Sequence, residues 1–282
     1  MLDTATRIAA RIVPRWALRA LGAVNRVRYR GTARRCPVCE SELRAFLPLP
    51  RAFRVALDVR GSPFTFRDFE TQSVDDYLCP VCRSADRDRL IALFLDGKIR
   101  RGEAGGTLLH FAPEPALARR LRASPWAHRT ADLFMSGVDE RLDITRMDRR
   151  GDGSVDCFVC SHVLEHVEDD RQAMRELFRI LAPGGWGVVL APILRGLAAT
   201  HEGATTSPAE RRRRFGQDDH LRVYAGADLV ARLEGAGFRV EALGVDAFGP
   251  DAFRRAGIDP GSRLYVVAKA AARAAPAAGR AP

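Results

Sequence analysis

Ser154-Val155-Asp156-Cys157-Phe158-Val159-Cys160-Ser161-His162-Val163-Leu164-Glu165-His166-Val167 is the stretch that decides the fold, with Leu181-Ala182-Pro183-Gly184-Gly185-Trp186-Gly187-Val188-Val189-Leu190 behind it. An apolar run stops at a small polar residue and a histidine. A charged segment of helical character follows, and a Pro-Gly-Gly turn leads into a second apolar run. Short apolar runs bounded by turn residues read as buried strands. In open α/β sheets ligands sit beyond the carboxyl ends of the strands, so Ser161 to His166 stand where chemistry is expected.

The same alternation extends outward on both sides. Thr107–Phe111 reads as a strand and Pro115–Arg122 as its helix, followed by a strand at Arg129–Leu133 and a short one ending near Asp143. After Val155–Cys160 come a helix at Asp169–Leu181 and a strand at Gly187–Ala191. The set closes with a helix at Asp228–Ala236, a strand at Phe238–Gly244 and another at Arg263–Ala268. Strands alternating with helices over residues 99–269 predict an α/β class, a Rossmann-like doubly wound sheet.

Two Cys-Pro-Val-Cys repeats precede this region, at Cys36/Cys39 and Cys79/Cys82. Two residues between thiolates let both sulfurs reach one metal, and two such knuckles complete a tetrahedral four-sulfur zinc site. Thiol redox chemistry is the rival reading, but a duplicated knuckle fits symmetric metal binding better. A closed four-cysteine site leaves no open coordination position, so this zinc is expected to be structural. The 39 residues between the pairs exceed the 15–20 of a compact ribbon and mark an insertion, in which Leu43–Leu49 and Pro63–Phe69 suggest a hairpin. Residues 36–98 thus read as a zinc module whose connecting helix, from Asp86 to Leu95, ends near Gly97. Cys157 and Cys160 share the two-residue spacing but lie in a strand, where residues three apart face opposite ways, so they are expected to pack rather than chelate.

Residues 1–35 carry nine arginines against Asp3, and residues 267–282 carry Lys269, Arg273 and Arg280 with no acid. The intervening body is almost neutral although the whole chain is +10. A nucleic-acid enzyme usually has a basic face at its site, so the distribution weighs against that class. A helix is predicted from Pro14 to about Tyr29, with Arg15, Arg19, Arg26 and Arg30 on one face and Trp16, Leu21, Val24 and Val27 on the other. Such a helix can lie on an anionic membrane surface. Packing of its apolar face on the rest of the protein is the expected arrangement. The Ala/Pro-rich residues 270–282 cannot build a core and read as disordered. No apolar run approaches the ~20 residues of a membrane span, and no signal peptide with a cleavage site is evident, which points to the cytoplasm.

The Ser161–Val167 and Leu181–Gly185 segments resemble the fourth and fifth strands of class I S-adenosylmethionine-dependent methyltransferases, whose sequences often read D-x-(apolar)-HVLEHV…LxPGG. From about Arg35 to Ala268 the chain is similar to a bacterial subgroup with an N-terminal four-cysteine zinc module. The subgroup reading gains from Leu78-Cys79-Pro80-Val81-Cys82 running into an Arg-rich helix, and from Phe215-Gly216-Gln217-Asp218-Asp219-His220. The resemblance implies S-adenosylmethionine as cofactor. The first strand departs from the class, since it enters His110-Phe111-Ala112-Pro113-Glu114-Pro115 instead of a glycine-rich loop. Glycines there normally allow close backbone approach to the ligand.

On this resemblance Phe111, Ala112, Pro113 and Glu114 form the loop that approaches the cofactor, with Glu114 at its amino-acid end or simply starting a helix. Asp132 stands 22 residues after His110, the distance at which an acid meets ribose hydroxyls in nucleotide-binding βαβ units; an Asp there is also a common helix cap. Asp143 and Ile144 fit the adenine-contacting element. Ser161, His162, Glu165 and His166 fall beside the donor's methyl group, His162 being the cofactor-side candidate. His220 lies in a loop that caps the acceptor pocket in the subgroup.

Methyl transfer is an in-line displacement at an activated carbon, so positioning supplies most of the catalysis. A base is needed only where the accepting atom must lose a proton, and His162, Glu165, His166 and His220 are the candidates. No G-x-S-x-G elbow surrounds Ser161, which excludes the common hydrolase reading. The expected activity is methyl transfer to an oxygen or nitrogen of a small-molecule or glycan-type acceptor. An RNA methyltransferase whose zinc module grips nucleic acid, with Phe46, Phe53, Phe64, Phe66 and Phe69 as stacking or core residues, is one alternative. A non-catalytic binding protein on a degenerate methyltransferase fold is another.

Overall fold

A computed structural model of the chain describes residues 15–51, 53, 62–203 and 207–271. The tail predicted at 270–282 lies almost wholly outside these residues, as does the start of the N-terminal segment. The helices are α1 (Arg15–Arg28), α2 (Asp86–Arg100), α3 (Pro115–Arg122), α4 (Asp170–Ile180), α5 (Pro208–Phe215), α6 (Gly226–Gly235), α7 (Val245–Phe248) and α8 (Pro250–Ala256). The strands are β1 (Arg30–Arg35), β2 (Glu42–Leu43), β3 (Thr107–Phe111), β4 (Ala127–Asp132), β5 (Glu140–Arg141), β6 (Val155–Ser161), β7 (Leu181–Leu190), β8 (His201–Glu202), β9 (Arg222–Val223), β10 (Arg239–Leu243) and β11 (Leu264–Ala268).

β6 is the central strand of a seven-stranded sheet ordered β10-β11-β7-β6-β3-β4-β5. β7, β6, β3, β4 and β5 run parallel, while β11 is antiparallel to both β7 and β10. Each strand alternates between two cores. Leu109, Phe158, Cys160 and Val189 enter one with α4 and α6 residues such as Met174, Leu177 and Leu233. Leu108, Cys157, Val159 and Val188 enter the other with Leu90, Leu95 and Leu117 from α2 and α3. Apolar residues at both parities are what a sheet covered on both faces requires. Cys157 and Cys160 fall in opposite cores, as strand periodicity demands, and chelate nothing together.

The Pro183-Gly184-Gly185 element is not a free turn before the strand. β7 already starts at Leu181 and shifts register against β6 between Val155 and Cys157. Gly184 has φ +80°. A Cβ on Gly185 would stand 2.7 Å from the Asp156 carbonyl, and one on Gly187 would stand 2.3 Å from the Phe158 ring. These glycines let β7 approach β6 across a bulge.

Four other expectations are corrected, and one element is new. α2 continues past Gly97 to Arg100, capped by the Arg101 N–H on the Gly97 and Ile99 carbonyls. Arg30–Arg35 is a strand paired with β2, so it belongs to the first knuckle rather than to the amphipathic helix. Leu43–Leu49 and 63–69 do not pair: Leu47 bridges to Leu78, and Phe69 bridges to Leu194 beyond β7. The new element is the arginine run before Phe215, a helix with Pro208 in its first turn, a Ser207 cap and Gly216 at φ +87° ending it. Finally, the apolar face of α1 does not pack: Leu21, Val24 and Val27 are 46%, 61% and 78% exposed. The helix instead meets the second knuckle through its small side, with Gly22 against the Val81 carbonyl and Asn25 Nδ2 donating to the Pro80 carbonyl at 2.9 Å.

The cysteine knuckles share a core with the sheet. Cys36, Val38, Leu43, Phe46 and Cys79 pack in the same cluster as Leu108, Val188, Phe253 and Ile258. Arg89 of α2, wholly buried, holds this junction together by donating to the carbonyls of Ala256, Tyr77, Ser84, Asp76 and Gly257. Among the described residues no helix is long and apolar enough to cross a membrane.

Candidate active site and cysteine cluster

The strand order reverses direction between β3 and β6, and the crevice outside their carboxyl ends is where open α/β sheets bind ligands. Both strands end there on a non-glycine residue in the left-handed region, Ala112 at φ 45° and His162 at φ 55°. Such conformations cost of order 1 kcal/mol each and gather at functional sites. Ala112 thus takes the backbone shape that a glycine-rich loop would supply, and its N–H donates to the Ala131 carbonyl at 2.9 Å.

Beyond β3 a relay of polar side chains is buried. His110 Nε2–H donates to Glu114 Oε2 at 2.9 Å, and His110 Nδ1 meets His128 Nε2 at 3.3 Å. Burial alone would raise the Glu114 carboxyl, but the His110 contact and the Arg87 charge outweigh it and bring it down to about 2. Burial takes His128 down to about 4, with the neighbouring His110 and Arg122 adding to the shift. His128 is therefore neutral when folded, whereas the unfolded side chain titrates near 6.5. Because the unfolded chain binds this proton first, stability must fall as pH drops from about 6.5 through 4. Discounted for partial exposure, the loss attributable to His128 is about 1–2 kcal/mol. Urea titrations of wild type and His128→Gln across this window check it: equal pH slopes would overturn the assignment.

Arg87 and Asp88, which the sequence reading missed, also reach this crevice from the first turn of α2. Arg87 interacts electrostatically with both Glu114 and His162. Its Nε is buried without a hydrogen-bond partner. Burial opposes its charge, but Tyr77, Asp88, Glu114 and Asp86 together hold it firmly protonated. Asp88 is pushed up to about 7 by burial and by the Glu114 charge. The sequence signal was the Arg-rich start of α2, whose inward direction only the tertiary fold sets.

Beyond β6, the single-turn helix Leu164–His166 turns Glu165 inward, fully buried. His162 Nδ1–H donates to Glu165 Oε1 at 2.9 Å. Burial takes His162 down to about 4, which leaves a neutral imidazole. Burial penalises the Glu165 carboxylate, but the His162 contact opposes it and the carboxyl lies well below its ordinary range. His166 and His220 meet edge to face with centroids 4.8 Å apart. Burial keeps His220 well below its ordinary range. Arg222 of β9, also unforeseen, clamps this turn by donating to the carbonyls of Leu164, Val167 and Glu168, while Leu221 N–H donates to the Glu165 carbonyl. Thus His162, Glu165, His166 and His220, chosen from the sequence, converge in space.

The remaining predicted positions lie at or just beyond the ends of β4, β5 and β6. Ser161 is buried with its hydroxyl unpartnered. Asp132 ends β4, and its Oδ1 accepts the N–H groups of Phe134 and Met135 in a local turn; no helix starts there, so it is not the helix cap held open as the alternative. Asp143 Oδ1 accepts Thr145 N–H and Oγ1–H, beside the buried Ile144.

A shallow cleft, open to solvent and with a cavity volume of about 50 Å³, adjoins His162 and His220. Its apolar wall is Phe66, Phe69 and Phe215. Phe66 and Phe69 come from the insertion between the knuckles, stitched down by Glu70 N–H on the Ile193 carbonyl and by Arg195 on the Arg67 and Glu70 carbonyls.

The four cysteines form one cluster, all ligand atoms lying within 4.8 Å of one another. Cys36 and Cys82 sulfurs are 3.7 Å apart, Cys39 and Cys79 sulfurs 3.8 Å. The knuckles match atom for atom: Glu40 and Arg83 both adopt positive φ, and their N–H groups donate to the Cys36 and Cys79 carbonyls. Tetrahedral zinc with bonds of 2.3 Å sets sulfurs about 3.8 Å apart, so the donor set fits.

Residues 126–189 match the family model described as a methyltransferase domain. The match covers Asp132, Asp143, Ile144 and the Ser161–His166 turn, but neither the β3 loop, nor His220, nor the four clustered cysteines. A probable S-adenosylmethionine-dependent methyltransferase of Mycolicibacterium smegmatis is 38% identical over 100 residues, 33% of each chain, so this chain spans about a third of the curated relative it matches. The solved [4+2]-cyclase SpnF overlays with a TM-score of 0.48 at 16% identity, covering 81% of this chain and 100% of its own. A Burkholderia thailandensis 1,6-didemethyltoxoflavin-N1-methyltransferase, with bound 1,6-didemethyltoxoflavin and S-adenosylhomocysteine, gives 0.38 at 14%, covering 62% and 74%. Residues 126–189 are thus similar to a methyltransferase domain, carried on the Rossmann-like sheet described above.

Proposed function

We propose that the protein transfers the methyl group of S-adenosylmethionine to an oxygen or nitrogen of a small-molecule acceptor, with a structural zinc bound by Cys36, Cys39, Cys79 and Cys82. The observation that carries this reading is the meeting of the β3 and β6 ends with an apolar-walled cleft beside His162.

The methionine end of the donor is a zwitterion. Arg87 would take its carboxylate, and Glu114, ionised by His110, would take its ammonium. Asp132, Asp143 and Ile144 stand along the β4 and β5 ends, where ribose and adenine would extend. The acceptor would enter between Phe66 and Phe215, opposite the methyl. The neutral His162, its Nδ1–H engaged by Glu165, presents Nε2 as a proton acceptor. The acceptor's lone pair forms the new bond to the methyl carbon as the sulfur–carbon bond breaks and its electron pair returns to sulfur. Most of the rate comes from holding these groups in line. Zinc, when bound, supplies no step; it holds the two ends of the insertion that builds the cleft wall.

Calorimetry with S-adenosylmethionine and its demethylated product tests the donor site. Arg87→Met is expected to weaken binding by about 10–100-fold, the value of a charged hydrogen bond, with Glu114→Gln acting in the same direction. Absence of donor binding by the wild type would favour a non-catalytic binding protein.

A further inference from the structure

Glu165 Oε2, His166 Nε2 and His220 Nε2 are all buried and all lack a hydrogen-bond partner among the described residues. One ligand atom from each of these residues lies within 4.8 Å of the other two. The other atom of each group is already committed. His166 Nδ1–H donates to the Asp219 carbonyl at 3.2 Å and His220 Nδ1–H to the Phe215 carbonyl at 3.2 Å, while Glu165 Oε1 accepts from His162. Each histidine is therefore fixed through its Nδ1–H, which leaves Nε2 as the free ring nitrogen, and His166 Nε2 lies 3.9 Å from Glu165 Oε1. Three acceptors face one another with no donor between them, an arrangement that hydrogen bonds within the cluster cannot satisfy.

We infer that Glu165, His166 and His220 form a two-histidine, one-carboxylate site for a divalent transition-metal cation, distinct from the cysteine cluster. A ligating histidine almost always gives its second ring N–H to a carbonyl or carboxylate, and both histidines do so here. Two imidazoles and one carboxylate suit Mn²⁺, Fe²⁺, Co²⁺ or Zn²⁺ better than Ca²⁺, which prefers oxygen donors. Three ligands on one side leave positions open, and His220 borders the cleft. Leu221 and Arg222 hold the Glu165 turn in place, so the ligands are presented from braced backbone.

The inference rests on the methyl-transfer reading for its chemistry: a cation there would bind a hydroxyl of the acceptor and lower its pKa. The hydroxyl proton passes to His162 or to water. The oxygen then bonds to the methyl carbon while the sulfur–carbon bond breaks and its electrons stay on sulfur. An acceptor oxygen is thereby favoured over nitrogen.

The test is titration of the zinc-loaded full-length protein with Mn²⁺, followed by the paramagnetic resonance signal of the free ion. About one equivalent is expected to bind, with spin-echo modulation from imidazole nitrogens. His166→Ala and His220→Ala are expected to lower affinity at least about a hundredfold, and Glu165→Gln at least about tenfold; His128→Gln, outside the cluster, should leave it unchanged. Binding of the demethylated donor reports whether each variant is folded. If the alanine variants fail that check, Glu165→Gln and the nitrogen modulation decide. No Mn²⁺ uptake by the wild type, or uptake unaltered in the variants, overturns the site. Mn²⁺ uptake without donor binding would keep the metal site and sink the methyl-transfer reading; donor binding without uptake would do the reverse.

Discussion

Arg89→Ala is expected to cost at least about 4 kcal/mol of stability, because it breaks a buried charge network and leaves its partners unpaired. The guanidinium is fully buried and serves five carbonyls drawn from three places: the insertion, the second knuckle and the end of α8. It also lies over the Phe46 ring, 3.9 Å from its centroid. Its charge opposes the burial penalty on Asp86, itself wholly buried. Each carbonyl left without a donor costs about 1–3 kcal/mol unless water enters. Arg89→Lys is expected to recover little, since one ammonium cannot span donors fanned over five carbonyls. Urea unfolding measures the effect, and a midpoint shift worth less than about 1 kcal/mol for Arg89→Ala would refute this account.

Removal of the proposed zinc is expected to have a comparable reach. Structural zinc contributes about 10–16 kcal/mol of apparent binding energy in isolated finger peptides. Here the knuckles also pack on the sheet, so a lower cost and a partly folded product are expected. A strong chelator should release about one zinc per chain and lower the melting temperature by at least about 10 °C. The insertion carrying Phe66 and Phe69 is anchored at both ends by the knuckles, so acceptor KM should rise more than donor affinity falls. Cys79→Ser should act in the same direction. A metal-free protein with unaltered melting and KM would remove zinc from the structure.

The fold was legible because its signals are local. The apolar runs at Thr107–Phe111, Val155–Ser161 and Gly187–Leu190 are strands whose two faces both need covering, and Asp169 and Pro115 start helices by chemistry confined to one turn. The cysteine repeat was legible for the same reason, since two knuckles of identical sequence adopt identical backbone. Local signals misled where a segment's partner is distant. Phe69 reads as half of a hairpin but bridges to Leu194, and the apolar face of α1 reads as packed although its neighbour is met through Gly22 and Asn25.

The site divides in the same way. The sequence by itself determined the sheet, the Ser161–His166 turn at the end of its central strand and the paired thiolates, because each depends on residues a few positions apart. Only the tertiary structure brought Arg87 from α2 and Glu114 from the β3 loop into one crevice. It also set His220 edge to face with His166 across 53 intervening residues, with Arg222 clamping the turn. Charge and burial at those positions depend on which elements close over them, and that is fixed by packing of the whole chain.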